Sequence, residues 1–233
     1  MPAKRPREVL VDFDGTIAGD DPTDLLFERF ADPSWRIIEE AWQHGRISSR
    51  ECMQRQVELL RVSPKALDEQ IQGVRIDPGF DGFLRFCRRH GAEVKIVSDG
   101  FDRVVGAALA RAGLAVAFFA NKLEWQGGDR WRLAFPHACS TCRVAAANCK
   151  CSHAQLPRQH PWAVVGDGRS DFCMATRAKY VVAKGALADY CRRRRLPHAT
   201  FTDFYDVTVA LSARLLREDC AAERHLVLGR SRN

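Results

Sequence analysis

VLVDFDGTI, residues 9–17, runs from three aliphatic residues straight into Asp12, Phe13, Asp14, Gly15 and Thr16. Side chains alternate faces along an extended chain, so Asp12 and Asp14 share a side. Like charges at that spacing repel, and burying them unpaired is costly. A stretch apolar enough to be buried therefore demands positive charge at its carboxyl end.

The runs VKIVSD (94–99), WAVVGD (162–167) and YVVAK (180–184) are equally short and β-branched. Near-continuous hydrophobicity predicts parallel strands covered on both faces. Helical stretches lie between them: GFDGFLRFCRRHG stops at Gly91, and FDRVVGAALARAGL stops near Gly113. The alternation predicts an α/β protein with a doubly wound parallel sheet. Asp14, Asp99 and Asp167 close the first three strands. Ligands of open α/β sheets bind outside the strands' carboxyl ends, so these acids mark a functional rim.

Residues 20–76 break the alternation. Four helical segments, opened by Asp, Ser and Pro, replace the next strand. Trp35, Ile38 and Trp42, and also Met53, Val57 and Leu60, recur at helical spacing and read as packing residues. The expected organisation is a core of residues 1–19 and 77–222, a helical lid of residues 20–76 above the rim, and a frayed tail at 223–233. ANKLEWQGGDRWRLAFP (120–136) reads as a β-hairpin turning at Gly127 and Gly128.

Composition narrows the classes. The 233 residues are 46% hydrophobic and 28% charged, which suits a soluble globular chain. No apolar run reaches the ~20 residues of a membrane span. MPAKRPRE at the start is followed by no apolar segment, so the expected location is the cytoplasm. The net charge of +7 is scattered rather than striped, apart from CRRRRLPH (191–198). An anionic small substrate explains it as well as nucleic acid does, and no nucleic-acid or membrane partner is expected. Nine cysteines, an odd number, make a poor disulfide framework.

The chemistry gathers in DFDGT (12–16), VSDG (97–100) and GDGRSD (166–171), each a strand followed by a turn of small residues. Backbone N–H groups of such turns can face an anion. Three or four carboxylates without a fixed cation point to a hard divalent ion, usually Mg²⁺. Such an ion would relieve the repulsion among Asp12, Asp14 and Asp167 and neutralise phosphoryl oxygens. A carboxylate can then act as nucleophile through an aspartyl phosphate.

With the serine of VSDG and a lysine in the next third, these motifs resemble the haloacid dehalogenase superfamily over about residues 8–210, and the insert resembles the cap of its phosphoserine-phosphatase-like branch. The resemblance implies a Rossmann-like core with a helical, C1-type cap inserted after the first strand. GRISSREC, IDPGF and VAKGALADYC are similar to the methionine-salvage phosphatases acting on 2-hydroxy-3-keto-5-methylthiopentenyl 1-phosphate. CSTCRVAAANCK and GDGRSDFC are similar to phosphoethanolamine/phosphocholine phosphatases.

The resemblance assigns roles by position. Asp12 matches the nucleophile, and Asp14 the acid/base for leaving group and water. Ser98 holds a phosphate oxygen beside the Gly100 N–H, and Lys150 neutralises the phosphoryl group. Asp167 ligates Mg²⁺ with Asp12 and the Asp14 backbone carbonyl, while Asp171 binds through water or orients Asp167. Thr16, Asp21, Asp99, Gly100, Arg50 and Arg55 are the remaining substrate-binding candidates, the arginines as grips on a polar substrate end. Asp21 stands where phosphoserine enzymes carry a glutamate, which argues against phosphoserine.

Lys150 lies inside a C-x2-C-x6-C-x-C pattern formed by Cys139, Cys142, Cys149 and Cys151, flanked by His137 and His153. Closely spaced thiols can wrap a structural Zn²⁺, and reduced thiols in a positioning loop are the equal alternative. A zinc there would hold Lys150 away from the phosphate and leave Arg143 or Lys122 to replace it. The expected activity is Mg²⁺-dependent hydrolysis of a small phosphorylated metabolite by a monomer or homodimer. Phosphotransfer to an acceptor other than water, and a silent binding module, are the rivals.

Overall fold

The computed structural model describes residues 6–154 and 161–215, so the expected tail at 223–233 lies outside the described residues. Strand β1 (Glu8–Val11) is buried along its whole length at the centre of a seven-stranded sheet. The other strands are β2 (Glu93–Phe101), β3 (Ala117–Trp125), β4 (Trp131–Ala134), β5 (Trp162–Gly166), β6 (Tyr180–Ala183) and β7 (Ala199–Thr200). Their order is β4-β3-β2-β1-β5-β6-β7, parallel except for the antiparallel β3–β4 hairpin. The chain leaves β1 toward β2 and later returns on its other side at β5. That reversal opens a crevice at the carboxyl ends, where the acids were expected.

Four helices follow β1: α1 (Pro22–Phe30), α2 (Trp35–Gln43), α3 (Ser49–Leu59) and α4 (Pro64–Ile71). Their starts are chemically specified. Asp21 accepts from the Thr23 and Asp24 N–H groups, Ser48 from Glu51 and Ser63 from Ala66, each cap stabilising by about 1 kcal/mol. Proline at the first turn of α1 and α4 fixes a helical φ where no N–H is needed. The strands of chain entering and leaving this segment run side by side, bridged at Ala18 and Ile76 and by Asp77 N to Ile17 O at 2.9 Å. The hairpin props the segment from the side, Trp131 Nε1 donating to Val62 O at 2.9 Å.

The helices α5 (Phe80–Arg89), α6 (Asp102–Arg111), α7 (Phe172–Ala175), α8 (Gly185–Arg194) and α9 (Phe204–Leu215) complete the fold. Phe13, Phe80, Phe83, Phe101 and Phe204 are wholly buried in the main core, which runs without a break into Leu26, Phe27, Val57 and Leu60 of the helical segment. Each such side chain contributes about 1.5–3 kcal/mol by leaving water. The arginines of CRRRRLPH close α8 on its exposed last turn, where cations suit the helix carboxyl end. No helix among the described residues is long and apolar enough to cross a membrane.

Candidate active site

Strand β1 ends at Val11, one residue before the first acid. Asp12 (φ −70°, ψ 156°) and Asp14 (φ −68°, ψ 129°) keep an extended backbone beyond the ladder. Gly15, at φ +67°, then turns the chain, and a Cβ there would stand 2.6 Å from Asp167 Oδ2. Only glycine fits this position.

The two carboxylates find different partners. Asp12 Oδ1 accepts from the Phe13 N–H at 2.8 Å, and Oδ2 lies 2.7 Å from the Lys150 ammonium. Asp14 accepts from Ser98 Oγ at 2.6 Å and from Thr23 Oγ1 at 3.2 Å. Lys150, 3% exposed, sits at the start of a short 3₁₀ turn and also reaches Asp171 Oδ1 and Ser170 Oγ, each at 2.8 Å. The lysine in the next third of the chain is therefore the charge that DFDGT demanded. Arg143 and Lys122 are not needed for that purpose: Arg143 is exposed and Lys122 pairs with Glu124 at 3.2 Å.

Charge at the rim remains unbalanced. Burial raises Asp12 well above the usual carboxylate range, Asp171 repels it further, and Lys150 opposes both. Burial likewise raises Asp14, Asp99 and Asp167. Burial alone would lower the Lys150 ammonium, but Asp12, Asp171 and Asp99 outweigh it and hold the group protonated. Asp12, Asp167 and Asp171 each place an oxygen within 4.8 Å of the others. Such a set of hard oxygens, crowded enough to raise the carboxyl pKa values, fits a divalent cation such as Mg²⁺. The Asp14 carboxylate stands outside that set because Ser98 and Thr23 hold it.

Asp171, fully buried, accepts from the backbone N–H groups of Asp167 (3.2 Å) and Gly168 (3.3 Å) through Oδ2. It thereby shapes the loop that carries Asp167. A cavity of about 130 Å³ opens above Asp12, Asp14, Asp99, Gly100, Lys150 and Asp167. Its upper wall comes from the helical segment: Asp21, Asp24, Phe27, Glu39, Trp42, Ser49 and Met53. Trp42 and Met53, read from spacing as packing residues, line this space.

Several expected substrate contacts are corrected. Thr16 is buried and donates to Asp167 Oδ1 at 2.7 Å, so it orients that acid rather than meeting substrate. Arg50 and Arg55 do not line the cavity. On α3 the cavity side carries Ser49, Cys52, Met53 and Gln56, and positions 50 and 55 fall off that stripe. Arg50 Nη2 donates to Ala146 O at 3.2 Å, and Arg55 pairs with Glu51 in solvent. The Gly100 N–H is taken by Ser98 Oγ at 2.8 Å, and a Cβ on Gly100 would stand 2.6 Å from Asp14 Oδ2. Asp99 lines the cavity and accepts from the Asn148 N–H at 3.0 Å.

Structural zinc at Cys139, Cys142, Cys149 and Cys151 is not supported. Among the described residues the only group tight enough for an ion is the acidic one. Cys139 turns to Thr141 Oγ1 at 3.1 Å, while Cys151 lies 3.9 Å from Cys149 and 3.6 Å from Cys173. The flanking histidines pack instead of ligating: both rings meet Phe119, and His153 Nε2 bonds Asn148 Oδ1 at 2.7 Å. Sequence reading missed Asn148, whose Nδ2 donates to Ser98 O and Phe119 O at 2.9 Å each. Buried in a loop, it clamps the Lys150 turn to β2 and β3. Sequence reading also gave no role to Thr23, which lies outside the motifs, or to Ser170, which lies within GDGRSD.

Comparisons with known proteins agree with this geometry. Residues 9–176 match the haloacid dehalogenase-like hydrolase family. The chain is 34% identical over 202 residues to the 2-hydroxy-3-keto-5-methylthiopentenyl-1-phosphate phosphatase of Brevibacillus brevis, covering 84% of this chain and 90% of that one. The like-named protein of Geobacillus kaustophilus is 33% identical, covering 86% and 93%. A solved phosphoserine phosphatase with a phospho-aspartyl intermediate analogue shares the fold, with a TM-score of 0.64, 21% identity and coverage of 86% and 95%. The chain belongs to the haloacid dehalogenase-like hydrolases and is a phosphatase among them.

Proposed function

We propose that the protein hydrolyses a small phosphomonoester through a phosphoaspartate on Asp12, with Mg²⁺ held by Asp12, Asp167 and the backbone carbonyl of Asp14, and with Asp171 in support. The observation that carries this reading is Lys150, buried between Asp12 Oδ2 and Asp171 Oδ1 on the floor of a cavity. A buried ammonium beside an acid that faces open space opposes the rise that burial and Asp171 impose on it, and so favours the ionised form that attacks phosphorus. When bound, the cation supplies neutralising charge for the phosphoryl oxygens and for the crowded carboxylates.

Asp14 then gives its proton to the leaving oxygen and afterwards takes one from the water that opens the acyl phosphate. Ser98 and Thr23 keep its carboxylate aimed for both tasks. The helical segment of residues 20–76 acts as a cap, and its paired entry and exit at Ala18 and Ile76 is the place where it can swing. Closed, it excludes bulk water from the first step.

Asp24 and Glu39 on the cap wall disfavour a leaving group with a second negative charge, while Phe27, Trp42 and Met53 offer apolar contact. Phosphoserine, with its carboxylate, suits this wall poorly. A leaving group that is neutral and partly apolar, as in the phosphate named for the similar bacterial enzymes, suits it well.

The test is single-turnover reaction with a ³²P-labelled aryl phosphate and Mg²⁺. Hydroxylamine-sensitive label should appear on the wild type, vanish with Asp12→Asn, and fail to form after chelation. Label that survives Asp12→Asn, or full turnover in metal-free buffer, would overturn the mechanism.

A further inference from the structure

Two thiols stand directly behind the catalytic lysine and the acid that holds it. Cys151 follows Lys150 in the 3₁₀ turn, and Cys173 is the second residue of α7, two positions after Asp171. Their sulfurs are 3.6 Å apart. The two backbone segments that carry them are already joined through Lys150, which bonds Ser170 and Asp171 at 2.8 Å each. Neither thiol is sealed in the core. Cys173 lines a groove of about 510 Å³ with Arg143, Arg169 and Ser170, beside the mouth of the cavity. Cys149, 3.9 Å from Cys151, is buried, with its thiol pushed up to about 12 first by burial and then by Cys151 and Cys142.

We propose that Cys151 and Cys173 are an oxidation site at which peroxide forms a reversible disulfide, and that this crosslink slows phosphoryl transfer by displacing Lys150. The chemistry balances. One thiol attacks a peroxide oxygen, giving a sulfenic acid and water. The second thiol attacks that sulfur and expels another water. The pair loses two electrons and two protons, and hydrogen peroxide takes them up as it becomes water.

Closing the gap to a bond draws the sulfurs together by about 1.5 Å. That movement falls on the residues flanking Lys150 and Asp171, whose contacts at 2.7–2.8 Å leave no slack. A misplacement of about 1 Å at a reacting group can cost about 100-fold in rate. The crosslink itself stands on the sulfur geometry, and only its effect on rate rests on the proposed function.

The experiment treats the reduced, Mg²⁺-loaded protein with hydrogen peroxide, then reads non-reducing peptide maps and aryl phosphatase activity in parallel. The expected result is a Cys151–Cys173 crosslinked peptide, about 2 Da lighter than its reduced parts. It should accompany a loss of at least about tenfold in kcat, and dithiothreitol should reverse both. Cys173→Ser should keep the reduced enzyme's activity and resist inactivation, with Cys151→Ser as the second variant if the first folds poorly. Oxidation that marks Cys139 without crosslinking the pair would overturn the site. A crosslink with unchanged kcat, or a Cys173→Ser enzyme inactivated as fast as wild type, would overturn the coupling. A reduced enzyme inert toward all phosphoesters would instead sink the functional reading, and the peptide map would still decide the crosslink.

Discussion

The central strand carries a buried lysine–carboxylate contact at each end, and the two are built on opposite rules. At the amino end, Lys95 meets Glu8 at 2.5 Å with both side chains at most 4% exposed, and the exposed Glu93 adds a second contact at 3.7 Å. At the carboxyl end, Lys150 meets Asp12 and Asp171, while Asp14, Asp99 and Asp167 crowd the same space. The first contact is closed within the protein's own charges. The second has more acids than one ammonium can satisfy, and it lies on the floor of a cavity. A buried ion pair alone says little about function. Uncompensated like charge beside open space is what marks a site meant for a cationic ligand and an incoming anion.

The same substitution at both ends would break this contrast if it is wrong. Lys150→Met should lower kcat for an aryl phosphate by about 10³-fold, since it removes the ammonium that holds Asp12 and would neutralise the phosphoryl group. Lys95→Met should leave kcat per folded molecule within about twofold and destabilise the fold, because it removes the buried ammonium that Glu8 and Glu93 face. Adding Glu8→Leu should recover part of that stability, as replacing both partners of a buried pair often does. Chemical denaturation and steady-state kinetics on the same preparations separate the two effects. Equal loss of activity at both positions would mean that the lysines share a structural role.

Much of this was legible before any coordinates. The helices of residues 20–76 announce themselves because Asp21, Ser48 and Ser63 are caps with local chemistry, and local chemistry is written in consecutive residues. The acids Asp12, Asp14 and Asp167 were legible as a cluster because strand-end acids in an apolar context have few inexpensive explanations, whereas Lys150 was singled out only by the family resemblance. What escaped depends on direction and on distance across the chain. Arg50 and Arg55 sit on the right helix at the wrong phase, and a one-residue difference in rotation decides between cavity and solvent. Thr16 points inward to Asp167, 151 positions away in the chain. The cysteine spacing suggested a knuckle, but the turn that carries Lys150 to Asp12 does not gather its thiols into a group tight enough for an ion. Lys95 was hidden inside an apolar strand, since only the neighbouring strand shows that Glu8 lies beside it.

The smallest expected effect sharpens the comparison at the cap wall. Burial raises Asp24 from 3.8 to about 6, with Glu39 on α2, Asp14 beneath and Glu28 on its own helix adding to the rise. A carboxyl group raised in the folded state opposes folding once it ionises there, which reverses the usual behaviour of paired acids. The folded protein holds that proton between pH 3.8 and about 6, where the unfolded chain has already lost it. Stability attributable to Asp24 therefore falls as pH rises through this window and stays low above it. Asp24→Asn abolishes the ionisation. Its melting temperature should exceed that of wild type by about 2–4 °C at pH 8, corresponding to about 1 kcal/mol in a chain of this size. The excess should shrink steadily below pH 6 and be gone near pH 4, where both proteins carry a neutral group. A gap that ignores pH would mean that the asparagine acts through packing, and that the acids of the cap wall do not repel one another as those of the rim do.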